Sequence, residues 1–148
     1  MYKSDRQSVG YKKSNIDFKL FGADFLSSSD GKIVVSLLYH RKLDESWQSV
    51  ARKISQELGI FIIGRSRKQK VIIGQDYITE SYFINDTLYR SKHIENSFTQ
   101  PNARVNEKMI EWSLKDLEPS ADDLLELYCG AGNFTIPFAK HFRKVLLS

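Results

Sequence analysis

The sequence predicts an α+β fold in its N-terminal part, an antiparallel sheet with one helix across it over residues 1–95, followed by the start of a parallel α/β domain over 96–148. Three observations predict it. Asp30-Gly31 and Asn85-Asp86 are hairpin turn signals set between apolar runs. From Trp47 to Leu58 the apolar residues fall at helical spacing. From Leu124 onward the order is apolar strand, glycine turn, helix and second apolar strand, which is one βαβ unit of a parallel sheet.

Each element has its own warrant. "NIDFKLFGADFL" alternates apolar residues at Ile16, Phe18 and Leu20, and "IVVSLLYH" at 33–40 is a β-branched, largely apolar run, so two antiparallel strands are expected. Asp44 is a plausible N-cap for a helix over 45–58 that buries Trp47, Val50, Ala51, Ile54 and Leu58, with Gly59 at the C-terminal cap. "IFIIG" and "KVIIG" read as short strands flanking "RSRKQ", and "YITESYFI" and "TLYRSKHI" as the arms of the second hairpin. Asn102 caps a second helix whose expected apolar face is Val105, Met109 and Trp112, with Ile110 and Leu117 on the neighbouring stripe. "LEPSADD" is a turn, "LLELYC" a strand, "GAGN" a glycine turn, "FTIPFAKHF" the start of a helix and "KVLLS" the start of another strand. One βαβ unit leaves a parallel sheet uncovered, so the chain reads as a piece of a longer protein.

Composition narrows the class. With 41% apolar and 12% aromatic residues, 148 residues suffice for a buried core. Lysine and arginine number 22 against 18 acids, a balance that favours a polyanionic partner without naming one. Cys129 is the one cysteine, which excludes an internal disulfide framework and a Cys-rich zinc site and fits a reducing compartment, with cytoplasm as the default. No window approaches the ~20 apolar residues of a membrane span, and His40, His93 and His141 lack metal-ligand spacing, so neither a membrane nor a metal is expected.

In "ELYCGAGNF", Gly130 and Gly132 follow a strand directly, where backbone approaches a ligand closely. Position 135 is Thr135, so the three-glycine dinucleotide fingerprint is not met. Glu126 four residues before Gly130 gives E-x-x-x-G-x-G, the usual first motif of S-adenosylmethionine-dependent methyltransferases. On the residues alone a plain strand-to-helix turn remains open, as do core packing for Tyr128 and Phe134 and a helix cap for Asn133.

"VVSLLYHRKLDESW", "GQDYITE", "ENSFTQPNARVNEKMIEW" and "DLLELYCGAGNF" together resemble the bacterial tRNA (uracil-5-)-methyltransferase family, from about Leu20 to the end. The resemblance implies a Rossmann-like methyltransferase domain joined to a smaller RNA-binding domain, with S-adenosylmethionine as cofactor and the T-arm of tRNA as partner. It implies cofactor contacts at Gln100, Tyr128 and Asn133 beside Gly130 and Gly132, and puts Gln100 next to the flipped uracil. Phe21 matches, more loosely, a family aromatic that touches the T-loop; a buried core phenylalanine is the alternative. The family's chemistry is covalent: a cysteine thiolate adds to C6 of uracil, C5 attacks the methyl group, and a glutamate removes the C5 proton. Both residues lie far C-terminal in the family and outside this sequence, so no catalytic residue is expected here and the piece alone should not turn over. Cys129 belongs to the glycine motif and is not that nucleophile. The family's ribosomal-RNA relatives generally carry an N-terminal oligonucleotide-binding barrel and iron–sulfur cysteines, which are not visible here.

Arg65, Arg67, Lys68 and Lys70 at a hairpin tip, with Lys12, Lys13, Arg41 and Lys42 elsewhere, suit phosphate contacts or a solvated loop. Two further classes remain open on the sequence: a non-catalytic RNA-binding module and a small-molecule enzyme.

Overall fold

The computed structural model describes residues 16–148, so Lys12 and Lys13 lie outside the described residues. Strand β1 (Leu20–Ser27) turns at Gly31, where φ is +86°, and pairs antiparallel with β2 (Ile33–Tyr39). The strand starts at Leu20 and not at Ile16, and a bulge between Leu20 and Gly22 marks its first residues. Helix α1 (Glu45–Leu58) is capped as its sequence requires: the Asp44 carboxylate accepts from the Trp47 amide at 2.9 Å, and Gly59 closes the helix at φ +65°.

The helix returns the chain to β3 (Phe61–Ser66), which pairs parallel with β2, and β4 (Gln69–Ile73) then pairs antiparallel with β3. The sheet, in the order β1-β2-β3-β4, is therefore mixed, which corrects the expected antiparallel arrangement. A helical crossover carries the chain back to the end of the sheet it left, and the next strand must then run parallel. Tyr39, Leu43, Trp47, Ala51, Ile62 and Ile73 form the core between α1 and one face of this sheet. Gly64 lies under the Trp47 ring and Leu43, and any Cβ there would overlap both.

Strands β5 (Tyr77–Ile84) and β6 (Thr87–Ile94) form a separate hairpin, with Asn85 and Asp86 both at positive φ as a tight two-residue turn demands. Ile78 of this hairpin packs on Val34 and Ile63, covering part of the sheet face opposite α1. Helix α2 (Ala103–Leu114) starts at the Asn102 cap, whose side chain accepts from the Val105 amide at 3.0 Å. Its buried stripe is Asn106, Ile110 and Leu114, packed on Tyr82 and Ile84 of the hairpin. Val105, Met109 and Trp112, the face expected to be buried, are exposed, Trp112 at 79%. Both stripes have helical spacing; the polar Asn106 disguised the one that is used.

Strand β7 (Asp123–Glu126) pairs parallel with β8 (Lys144–Leu147), and between them lie the glycine turn and α3 (Thr135–Phe138), a single turn shorter than the sequence suggested. Phe134 and Phe138 pack against the α2–hairpin core. Among the described residues the architecture is mixed α/β, with three small sheets and few helices.

Candidate cofactor and RNA site

The segment from Glu95 to Asn102 leaves the hairpin and enters α2, and both of its ends are fixed. Glu95 is buried and accepts from Ser36 Oγ at 2.8 Å, Arg65 Nε at 2.7 Å and Arg65 Nη2 at 2.5 Å, with Lys70 Nζ at 3.4 Å. The Arg65 guanidinium above all, helped by Ser36 and Lys70, holds the Glu95 carboxyl down to about 2 against desolvation. Lys70 also pairs with Asp76 at 2.8 Å. Two of the four basic residues of the hairpin tip thus serve an internal network, while Arg67 and Lys68 are exposed. At the other end, Asn102 caps α2.

This clamp holds Gln100 over the glycine turn. Phe98, Thr99 and Gln100 from the segment, Tyr128, Cys129, Gly130 and Asn133 from the turn, and Ser91 and His93 from β6 line one cavity of about 130 Å³. The Gln100 amide has no hydrogen-bond partner among the described residues and is half-buried at the cavity wall. Tyr128 is 96% exposed and held at φ +58°, a left-handed conformation that a bulky residue adopts only under constraint. Gly130 at φ +55° has no atom within 4 Å of the place a Cβ would occupy, so its surface is open to a ligand. Gly132 at φ +80° does not line the cavity; its amide donates to the Cys129 carbonyl at 2.9 Å and turns the chain into α3. Thr135 Oγ1 donates to the Glu126 carboxylate, tying the strand end to α3.

Asn133 is neither a helix cap nor a free group. Its side-chain amide exchanges two hydrogen bonds with Asn106 of α2, each 2.8 Å. One N–H and one lone pair of Asn133 remain for a ligand. Cys129 is half-buried, and among the described residues its thiol makes only a long contact of 3.9 Å to the Gly130 carbonyl. Behind Gln100 a second cavity of about 230 Å³ shares Ser91, His93, Thr99, Gln100 and Asn133 with the first. His93 Nε2 lies 2.7 Å from Ser91 Oγ; burial lowers the imidazole pKa, opposed by the Glu80 carboxylate. The cavity thus offers the Gln100 and Asn133 amides, open backbone at Gly130 and the Tyr128 phenol, with the Glu126 carboxylate and the His93 imidazole also on its wall.

Phe21 lies elsewhere. It is 58% exposed and stacks on His40 with ring centroids 4.0 Å apart and planes 15° from parallel. Arg41, Lys42, Arg65 and Arg67 surround this pair in an open depression of about 630 Å³. The alternative of a buried core phenylalanine is excluded.

The family described as tRNA (Uracil-5-)-methyltransferase matches residues 7–148. The chain belongs to this family. A tRNA/tmRNA (uracil-C(5))-methyltransferase of Sulfurimonas denitrificans is 62% identical over 135 residues, covering 91% of this chain and 37% of the relative. One of the same description from Acinetobacter baylyi is 52% identical over 128 residues, covering 86% of this chain and 36% of that protein. The chain thus spans a little over a third of the length of the curated relatives it matches. Among solved structures, the Pyrococcus abyssi tRNA (uracil-54, C5)-methyltransferase in complex with S-adenosyl-L-homocysteine superposes with a TM-score of 0.53 at 17% identity, over 79% of this chain and 29% of that one. That likeness shows a shared fold.

Set against the tRNA (uracil-5-)-methyltransferase family blocks read from the sequence, Gln100, Tyr128, Gly130 and Asn133 come together at one cavity, and Phe21 stands apart on a basic surface. Sequence reasoning missed Asn106, His40, Ser91, His93 and Glu95. Ser91 and His93 were legible as the inward side of β6, where Tyr89, Ser91 and His93 alternate with exposed Leu88, Arg90 and Lys92. Nothing in the sequence marked His40 or Glu95. Among the described residues no helix is long and apolar enough to cross a membrane, and no cluster of His, Cys, Asp or Glu could hold a metal ion.

Proposed function

We propose that these residues form the RNA-facing part and the first cofactor-binding segment of an S-adenosylmethionine-dependent enzyme that methylates C5 of uridine in the T-loop of tRNA in the cytoplasm. The observation that carries the reading is that Gln100 lines the same cavity as Tyr128, Cys129 and Gly130 of the glycine turn. A parallel strand pair with a glycine turn between its members supports residues 96–148 as the start of a Rossmann-like domain, and the mixed sheet with its hairpin supports 1–95 as the part that helps bind RNA.

In this reading Tyr128 and Gly130 wall the cofactor, with Gly132 setting the turn and Asn133 lending its remaining N–H, while Gln100 faces both the cofactor and the flipped base. S-adenosylmethionine supplies the methyl group. The thiol that adds to C6 and the carboxylate that removes the C5 proton belong to residues outside this sequence; Cys129, held in the turn, is not assigned that role. Phe21, stacked on His40 amid cations, contacts the displaced loop bases, since extruding a base has to be compensated by new stacking.

Transfer of a tritiated methyl group from S-adenosylmethionine to an unmodified tRNA transcript, by the protein that carries these residues, tests the proposal. Label is expected at a T-loop uridine, with Gln100→Ala lowering the rate about 100-fold while the fold is kept. Label in ribosomal RNA instead of tRNA, or an unchanged rate in Gln100→Ala, would overturn it.

A further inference from the structure

Between the Phe21–His40 stack and the Gln100 cavity lies a third recess, of about 410 Å³, lined by Asp24, Ser36, Glu95, Asn96, Ser97, Phe98 and Thr99. We infer that this recess is a subsite for an unpaired, amino-bearing nucleobase that neighbours the target uridine, a reading that rests on the proposed RNA methyltransferase function.

Position argues first. Asp24 pairs with Ser36, and Gly22 with Leu38, across β1 and β2, so these residues share the sheet face opposite α1. Leu38 in turn neighbours Arg65 on β3. Arg65 lines the depression around Phe21 and His40 and pairs with Glu95 in the recess. Phe98 and Thr99 line both the recess and the Gln100 cavity. One face of the molecule thus runs from an aromatic platform, through the recess, to the cavity assigned to the reaction. A strand with its target base turned into the Gln100 cavity and another base on Phe21 crosses the recess between them.

Chemistry selects the occupant. Phe98 is 80% exposed, so a face of its ring is free for a base to cover. Asp24, Asn96 and Ser97 have no side-chain hydrogen bond or ion pair among the described residues, so their polar groups are available. Glu95 is not available, because Ser36, Arg65 and Lys70 already occupy its oxygens. A free aromatic face beside free hydrogen-bonding groups is how unstacked bases are held. The Asp24 carboxylate repels a phosphate and only accepts hydrogen bonds, so it favours the exocyclic amino group of cytosine, adenine or guanine over uracil, whose one base donor is its ring N3–H.

The test uses the 148-residue chain and a fluorescein-labelled RNA stem-loop with a T-arm-like loop, followed by anisotropy at two salt concentrations. Each loop nucleotide next to the target uridine is replaced in turn by uridine. The expected result is that one such replacement weakens binding by the wild-type chain about tenfold, and that Asp24→Asn abolishes this difference. Phe98→Ala is expected to weaken all the RNAs about 5- to 150-fold, with Phe98→Tyr restoring affinity. Discrimination unchanged in Asp24→Asn, or Phe98→Ala binding like wild type, would overturn the subsite while leaving the methyltransferase reading standing. Absence of salt-dependent binding to every stem-loop by the wild-type chain would overturn the RNA-binding reading and the subsite with it. Asp24 and Phe98 are exposed, and an unchanged circular dichroism spectrum controls for folding.

Discussion

Asn106 of α2 and Asn133 of the glycine turn face each other as a closed amide pair, each side chain donating to and accepting from the other at 2.8 Å. The pair joins the helix that begins just after the Gln100 segment to the turn that faces Gln100, so it sets the width of the cavity between them. Asn106 is buried, and its amide cannot fall back on water.

Asn106→Ala should therefore cost about 1–3 kcal/mol, mostly by stranding the Asn133 amide. Urea denaturation measures the loss, and amide hydrogen exchange should rise first between residues 130 and 135. An exchange increase spread evenly over α1 and the four-stranded sheet would contradict a local role for the pair.

Glu95 makes the junction between sheet and Gln100 segment sensitive to acid. Its folded-state pKa is lowered, from 4.5 to about 2, so its stabilising contribution is complete above the unfolded value and is lost as pH falls from about 4.5 toward 2. A shift of that size corresponds to roughly 3 kcal/mol. Glu95→Gln should be less stable than wild type at neutral pH, and the two proteins should converge near pH 2 in denaturant titrations. Asp76, whose carboxyl Lys70 also holds below its usual range, titrates in the same direction and remains in both proteins as an internal control.

Gly64→Ala should destabilise the α1 core by about 1–3 kcal/mol, because the new methyl overlaps the Trp47 ring and the Leu43 side chain, both buried. Thermal unfolding reads it directly. A compensating Leu43→Ala in the same chain should recover little, since the Trp47 overlap persists.

Local chemistry made most elements legible. Asp44, Gly59, Asn102 and the Asn85-Asp86 turn all act where their side chains or backbone preferences require, because caps and tight turns are decided within a few residues. Pairing decided over long range was not legible. The parallel β2–β3 pair follows from α1 being a crossover, and the hairpin leaves the main sheet to pack on α2, neither of which a strand's own residues encode. The site divides in the same way. Gln100 and the glycine turn were visible as motifs, whereas the partners that hold them, Glu95 with Arg65 and Asn106 with Asn133, are ordinary polar residues until the fold brings them together.

Tyr128 supplies the last prediction. It sits at φ +58° with its ring almost wholly in solvent, so it gains nothing from packing to offset a backbone conformation that costs a side chain about 1–2 kcal/mol. The proposed cofactor contact would account for a tyrosine at this strained position. Tyr128→Gly should raise stability by about 1 kcal/mol, seen as a thermal midpoint a few degrees higher, while Tyr128→Ala, which keeps the Cβ, should not. The same glycine variant should lose affinity for S-adenosylhomocysteine by calorimetry in the protein that binds it. If Tyr128→Gly is both less stable and unimpaired in binding, the strain is not stored for the cofactor, and the phenol must be assigned another partner.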